Sequence, residues 1–566
     1  MVNRSDLHFR WIAGAFCFYF IILMHVYFQN VGGIGFNLPG NVMGALFLSA
    51  STILILVSTF LNPIKQSAAW MWLLSGGCVL LLPALWTPLE QLTVAWPRLF
   101  GLILGLVAYF SLLQIRLNRS HRFYLLVMLL VAIDIEAAIG FLQYFHIFMP
   151  SSGYAVNIGQ RVYGIFQQCN VMATFIATGV PLSVYVWYRL ADHTRYYHYF
   201  RVIAAGSLII LPCLLIVICS RAGLLGALLL VPLQLWALGM HRPRKMATAM
   251  IFIIVGAVVG IVLTWVNNPV RPLDASAPII LRIEYWRESL RMIVEKPLCG
   301  WGYGAFQADF LHSFYEHPAA YIQPIGIVRH PHNEWLFWGV EGGIPALFGL
   351  LVMFTGFLRI VFRPSSFQKK NVCHLLIHIL KSRWVIIFPI LFHTQVEYPF
   401  YISAAHGILF LILLRCSDVR KNTNASAPLY RGGSTIKAAV IVLSLLMTGY
   451  LAYSLYTVRV ITSVERHELP VSQLRYLRWP SLMDARLSYD VHTLLLLQYR
   501  LHADTRLLVD YRTWATQMIN IRPDANLYFN LLLVSRLLKD EVTARMLFSD
   551  AHLFFPLDPR FVANKF

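Results

Sequence analysis

The chain has 566 residues, of which 58% are hydrophobic and 13% charged, with a formal net charge of +20. Soluble globular proteins carry about a quarter charged residues, so the composition excludes an ordinary soluble enzyme. Lys and Arg concentrate in alternate short segments between apolar runs, which is the topological bias of a membrane protein rather than a basic groove and argues against a nucleic-acid partner.

The first apolar run, Trp11 to Phe28, is long and ends in YFQNVGG without a small-residue cleavage site, so it reads as a membrane span rather than a signal peptide. Apolar runs of roughly 17–25 residues match a bilayer. Spans are predicted at 11–29, 41–61, 70–86, 93–113, 122–142, 170–188, 203–219, 222–238, 247–266, 336–358, 384–398, 400–414 and 438–457, about thirteen in all. The expected fold class is all-α, a polytopic helical membrane protein with a cytoplasmic N-terminus. Basic segments such as RLNRSHR and HRPRK mark the cytoplasmic side. The other side holds residues 143–169, the Ser220–Arg221 turn, a long polar loop at 267–335 opening with NNPVRP, and the QVEYPF turn. Residues 384–414 form either two short spans or a re-entrant pair.

Four consecutive regions follow. They are an N-terminal bundle (1–266), the polar loop (267–335), a second bundle (336–457) and an extramembrane helical domain (458–566). In the last, leucines recur at helical spacing and Pro470, Pro480, Pro523 and Pro556 divide short helices. RPDANLYFN before a leucine-rich helix resembles the paired-helix packing of tetratricopeptide arrays. Such a domain suits docking a protein or supporting the polar loop. Eight cysteines are scattered, with neither metal-ligand spacing nor a disulfide framework.

Polar residues in this apolar chain point to chemistry. Gln160, Arg161, Gln167, Gln168 and Asn170 cluster just before a span, which is costly unless they face a cavity or ligand. Arg221 opens a helix on the side poor in basic residues. A guanidinium and a helix N-terminus both favour phosphate there, and a snorkelled side chain is the alternative. His330, His332, Asn333 and Glu334 precede a span, with Asn333 and Glu334 expected near its first turn. His332 can serve as a general base. The run HPHNE is not HExxH, and His312, His317, His330 and His332 match no standard metal pattern. EGG at 341–343 and Pro345 are expected to break the next helix. His393 and Glu397 share a face if HTQVEYPFY stays helical, so that the carboxylate orients the imidazole or the two form a satisfied pair. Arg282, Glu284, Tyr285, Trp286, Arg287 and Arg291 fit an amphipathic helix on the membrane, holding a diphosphate or anionic lipid headgroups. Asp134 and Glu136 are intramembrane acids on different faces, with no catalytic role assigned.

Taken together, QRVYGIFQQCN (160–170), SRAG (220–223), residues 284–306, RHPHNEWLFWGVEGGIPAL (329–347) and HTQVEYPF (393–400) resemble the O-antigen ligase and Wzy polymerase superfamily. The last two motifs and the C-terminal helical domain resemble its protein-glycosylating branch, the PglL-like pilin O-oligosaccharyltransferases. Cys169 stands before Asn170 where relatives commonly have proline. The resemblance implies a GT-C-like bacterial inner-membrane protein with a periplasmic loop, active site and C-terminal domain. It implies an undecaprenyl-diphosphate-linked glycan as donor, a periplasmic or pilin-like protein as acceptor, contact with membrane lipids, and no cofactor, metal or nucleotide sugar. Arg161 and Arg221 then resemble diphosphate-binding arginines, His332 the residue that activates the acceptor, and His393 with Glu397 and Tyr398 the second histidine region. Gln160, Gln168 and Asn170 resemble the polar residues of the first motif. Arg287 and Asn333, read from their places in the loop and at the helix start, are expected as further substrate contacts. The alternatives are an O-antigen ligase acting on lipid A core, a polysaccharide polymerase, and, as a non-enzyme, a flippase or transporter. The reading requires Arg161, Arg221 and His332 to meet around one lipid diphosphate.

Overall fold

The computed structural model describes residues 4–148, 153–156, 160–190, 196–267, 277–317, 326–362, 372–418 and 433–562. The NNPVRP opening of the polar loop lies, from residue 268 onward, outside them. The regular structure of the described residues is helical, without a strand. In chain order the helices begin with α1 (Arg4–Ile21), α2 (Pro39–Ser58), α3 (Ala68–Leu81), α4 (Leu89–Gln114) and α5 (Arg119–Tyr144). Next come α6 (Cys169–Arg189), α7 (Tyr197–Val217), α8 (Arg221–Leu228), α9 (Val231–Gly239) and α10 (Pro243–Asn267). The middle of the chain forms α11 (Ala277–Glu295), α12 (Phe306–Glu316) and α13 (Glu334–Val361). Then follow α14 (Val372–Leu380), α15 (Trp384–His393), α16 (Pro399–Ile402), α17 (Ala404–Ser417) and α18 (Gly433–Glu465). The last four are α19 (Asp484–His502), α20 (Thr505–Ile519), α21 (Ala525–Leu537) and α22 (Glu541–Phe554).

Among the described residues, eleven helical segments are long and apolar enough to cross a membrane, α8 and α9 counting as one. The chain is therefore a multi-pass helical membrane protein. The other two expected spans correspond to shorter apolar helices, α15 and α17. The ten residues of α15 span about 15 Å at 1.5 Å per residue, half the hydrocarbon thickness. The 222–238 run is not one helix either. It breaks at Leu229–Leu230, where Pro232 in the first turn of α9 cannot donate a backbone hydrogen bond.

The chain divides into two compact units, each discontinuous in sequence. The first comprises Met1–Ser75, Gly101–Ala275 and Val352–Thr462. Its most enclosed helix is α6, which packs on α5, α7, α8 and α15. Small residues allow this: an added Cβ on Gly223 would lie 2.6 Å from Ala173 Cβ, so α8 rests directly on α6. Gly256 and Gly260, four apart on α10, similarly sit against the backbone of α7 at Ile209 and Cys213.

Basic residues of this unit cap helix C-termini. Arg415 donates to Leu112 O (2.9 Å) and Ile115 O (2.7 Å) at the end of α4. Lys437 donates to Thr59 O and Asn62 O beyond α2, Arg383 to Cys416 O in α17, and Lys245 to Leu190 O beyond α6. A cation at a helix C-terminus satisfies orphan carbonyls and opposes the negative dipole end. The charges that bias topology thus also close the helices.

The second unit comprises Gly76–Phe100, Ser276–Leu351 and Ser463–Phe566. Here α13 is broken at Gly343, whose φ of 60° and ψ of −154° are not helical. The 297–302 segment fills the break: Trp301 N donates to Val340 O, Gly302 N to Glu341 O, and Ile344 N to Pro297 O. Helices α19 to α22 stack in sequential pairs. Asp504, Asp524 and Asp540 cap the N-termini of α20, α21 and α22. Their core includes Leu311, Tyr315 and Ile327, so the C-terminal helices share one apolar cluster with α12. Gln307 Nε2 also donates to Pro523 O at 2.9 Å.

Candidate active site

In the first unit, polar residues from four places in the sequence meet at the start of α6. Asn170, in the first turn of α6, accepts at Oδ1 from Ser220 Oγ (3.0 Å) and Arg161 Nη2 (3.3 Å), and donates through Nδ2 to Glu397 Oε2 (3.4 Å). Ser220 is the N-cap of α8 and accepts from Gly223 N, so Arg221 is the first residue of that helix. The N-termini of α6 and α8 therefore converge, each the positive end of a helix dipole. Gln168 stands at the N-cap position of α6 yet makes no capping bond, and its buried Oε1 has no hydrogen-bond partner among the described residues.

Arg161 is partly committed to the fold. Its Nε donates to Ile218 O (2.9 Å) and its Nη2 to Cys219 O (3.1 Å), closing the turn between α7 and α8. Cys219 in that turn takes φ of 53°. The residue expected to bind diphosphate thus first positions the turn that carries Arg221.

His393 is fully buried at the end of α15, and its Nδ1 lies 2.6 Å from Thr174 Oγ1. Thr174 is one turn beyond Asn170 on α6 and donates to its carbonyl (3.1 Å). After His393 the chain makes one more hydrogen-bonded turn and leaves the helix by Tyr398. Glu397 N returns to His393 O, and the carboxylate reaches Asn170 while the imidazole Nδ1 meets a hydroxyl. Imidazole and carboxylate thus each reach a successive turn of α6, at Thr174 and Asn170. Tyr398 is half-buried with its ring edge-on to Tyr401, and Gln160 is exposed.

The second unit holds the other histidine motif. Asn333 caps α13, its Oδ1 accepting from Leu336 N at 3.1 Å, and Glu334 lies in the first turn, as the sequence implies. His332 adopts φ of 60°, a region His enters more readily than most residues. Three contacts hold it there: its N–H donates to His330 Nδ1 (2.9 Å), Trp286 Nε1 donates to Pro331 O (3.0 Å), and its ring stacks on Tyr285. Burial, with smaller effects from the charges of His332 and Arg98, holds His330 well below the ordinary histidine pKa of 6.5. A neutral ring accepting at Nδ1 carries its proton on Nε2. Glu341, beside the α13 break, forms an ion pair with Arg98, whose guanidinium lies over Phe337 and Trp338. On α11, Glu284 and Glu288 point inward, Glu288 bonding Ser313 and Arg291, while Arg287 is exposed.

Of the residues singled out from sequence, the structure thus joins Arg161, Asn170 and Glu397 directly and sets Arg221 beside them. It places His332, Asn333 and Arg287 in the other unit. Thr174 and His406 were missed. His406 is fully buried between Phe166 and Phe175, near His393. The spacing of four from Asn170 to Thr174 was the available signal for the first. Among the described residues, no group of three His, Cys, Asp or Glu side chains is placed to hold a metal ion.

Membrane-length helices and a half-buried cluster of amides, arginines and a carboxylate at two helix N-termini define a multi-pass membrane protein with a polar site. Comparison with known families gives three matches. Residues 205–351 match the O-antigen ligase family, residues 383–565 the C-terminal region of the virulence factor membrane-bound polymerase family, and residues 162–187 the protein glycosylation ligase family. The chain belongs to the superfamily of O-antigen ligases, Wzy polymerases and protein glycosylation ligases. No curated protein matches it.

Proposed function

We propose that the protein transfers a glycan from a polyprenyl diphosphate to a hydroxyl group, a ligase-type reaction of its superfamily. One observation carries the reading: Asn170 joins the N-termini of α6 and α8 beside Arg161 and Arg221. Helix N-termini and guanidinium groups are the usual partners of phosphate oxygens. Gln160 and Gln168 supply further polar contacts, and Arg287 and Tyr398 contact the glycan or its lipid.

The reaction is an in-line displacement. The acceptor oxygen bonds to the anomeric carbon, the bond from that carbon to the diphosphate oxygen breaks, and the acceptor proton passes to His332. The diphosphate is already a good leaving group, so catalysis consists mainly of offsetting its growing charge. One displacement inverts the anomeric configuration. His393 and Glu397 hold the first turns of α6, and Asn333 holds the start of α13.

The two long family matches, to an O-antigen ligase and a polymerase, favour a carbohydrate acceptor, either lipid A core or a second lipid-linked repeat. The match over 162–187 to a protein glycosylation ligase supports a second reading, a serine or threonine of a periplasmic, pilin-like protein. In both, the N-terminus is cytoplasmic and the site periplasmic, in the bacterial inner membrane. The test is purified protein in vesicles with lipid-linked glycan and each acceptor in turn. Transfer to lipid A core, lengthened lipid-linked chains, or glycosylated pilin-like protein each selects one acceptor. Absence of transfer to all of them overturns the proposal.

A further inference from the structure

We infer that Glu136 is a positioning residue, which with Gln143 braces the turn between Arg161 and Asn170; the inference rests on the reading of that site as the diphosphate site. Both residues lie on α5, seven apart and so on one face. Glu136 Oε1 accepts from Ile165 N at 2.9 Å. Gln143 Oε1 accepts from Gly164 N (2.7 Å) and Tyr163 N (3.1 Å), and its Nε2 donates to Gly164 O (3.0 Å) and Tyr154 O (3.1 Å). Three successive backbone amides of the turn thus end on two side chains of one helix.

The turn is shaped to its brace. Gly164 takes φ of 59°, and an added Cβ would lie 1.7 Å from Glu136 Oε1. Only a residue without a side chain lets the carboxylate reach the next amide. The braced amides begin two residues after Arg161 and end five before Asn170, so displacement of the turn moves both. A buried carboxyl is costly where an aliphatic side chain would pack, and the amide of Ile165 explains its presence. The remaining oxygen, Oε2, lies 3.6 Å from His25 Nε2. Glu136 is fully buried and acts through the turn, whereas Asp134, two residues earlier, faces away and accepts from Ser207.

The role is that of a hydrogen-bond acceptor, so glutamine should replace Glu136 and leucine should not. Amide hydrogen exchange of the whole protein in detergent reads the brace directly. In Glu136→Leu, exchange in the peptide spanning 162–168 should quicken about tenfold, while peptides of α7 and α10 stay protected. Glu136→Gln should remain within about twofold of the wild type. In the transfer assay, Glu136→Leu should raise the KM for the lipid-linked donor about tenfold with the acceptor KM unchanged, and Glu136→Gln should restore it. Should Glu136→Leu not accumulate, Gln143→Met gives the same contrast at Tyr163 and Gly164. Unchanged exchange in the leucine variant, equal defects in leucine and glutamine variants, or equal effects on donor and acceptor would each overturn the inference. A wild type that transfers no glycan would overturn the functional reading, and with it the positioning role, while exchange still decides the brace.

Discussion

Ser220 donates to Asn170 across 3.0 Å, and this bond ties the N-cap of α8 to the first turn of α6. Asn170 also receives Arg161 and donates to Glu397, so its amide keeps a cation and a carboxylate in place at once. Asn170→Ala should lower glycan transfer at least about tenfold, in line with losing several charge-assisted bonds. Asn170→Asp should be worse than alanine, because it adds a negative charge beside Glu397 where the diphosphate is proposed to bind. Initial rates in membranes, normalised to protein amount, make the comparison. An aspartate variant as active as the wild type would contradict it.

His332 is held at positive φ by its neighbours rather than by any glycine-like freedom. Its removal should therefore affect chemistry more than folding. His332→Ala should cut the transfer rate by about 10²–10⁴, the range for a general base, with little change in thermal unfolding or in donor binding. Full turnover in this variant would remove the assigned base.

His330 titrates in the opposite sense to a stabilising ion pair. Its folded-state pKa lies well below 6.5, so below about pH 6.5 the unfolded chain binds a proton that the folded chain does not. Stability from this group is present above that pH and falls as the pH drops, by at most about 1.4 kcal/mol per pH unit. Unfolding midpoints measured from pH 8 to pH 5 should therefore fall more steeply for the wild type than for His330→Gln. Parallel curves would show that His330 is not the titrating group.

The break in α13 requires glycine. At Gly343 the φ is 60°, and a Cβ would lie 2.6 Å from Pro297 O and 2.8 Å from Gly300 N, both backbone atoms. Gly343→Ala should cost more than about 1–3 kcal/mol, seen as a lower unfolding temperature. Gly14→Ala, which meets nothing within 4 Å inside α1, should be neutral or slightly stabilising.

Much of this architecture was readable from local pattern. Hydropathy located the long helices, Asn333 and Glu334 marked the start of α13, and Gly342, Gly343 and Pro345 marked its break. Each signal acts within a few residues of its cause. Local pattern falls short where distant partners decide. His393 meets Thr174, 219 positions away, and Glu397 meets Asn170, 227 away, so no local spacing could reveal that both reach α6. Glu136 looked like an isolated acid because its partner is a backbone amide in a turn 29 residues later. The breaks between α19 and α20 and between α21 and α22 contain no proline and are marked instead by the N-caps Asp504 and Asp540. Those caps were legible in type, but proline dominated the reading.

The central claim is that the convergence of α6 and α8 binds a lipid diphosphate. Affinity of the purified, lipid-embedded protein for a glycan-free polyprenyl diphosphate tests it most directly. Arg221→Ala and Arg161→Ala should each weaken binding about ten- to a hundredfold, the worth of one or two charge-assisted bonds. Arg221→Lys should fall between, since a point charge remains without the paired geometry. Affinity unchanged in both alanine variants would contradict the account.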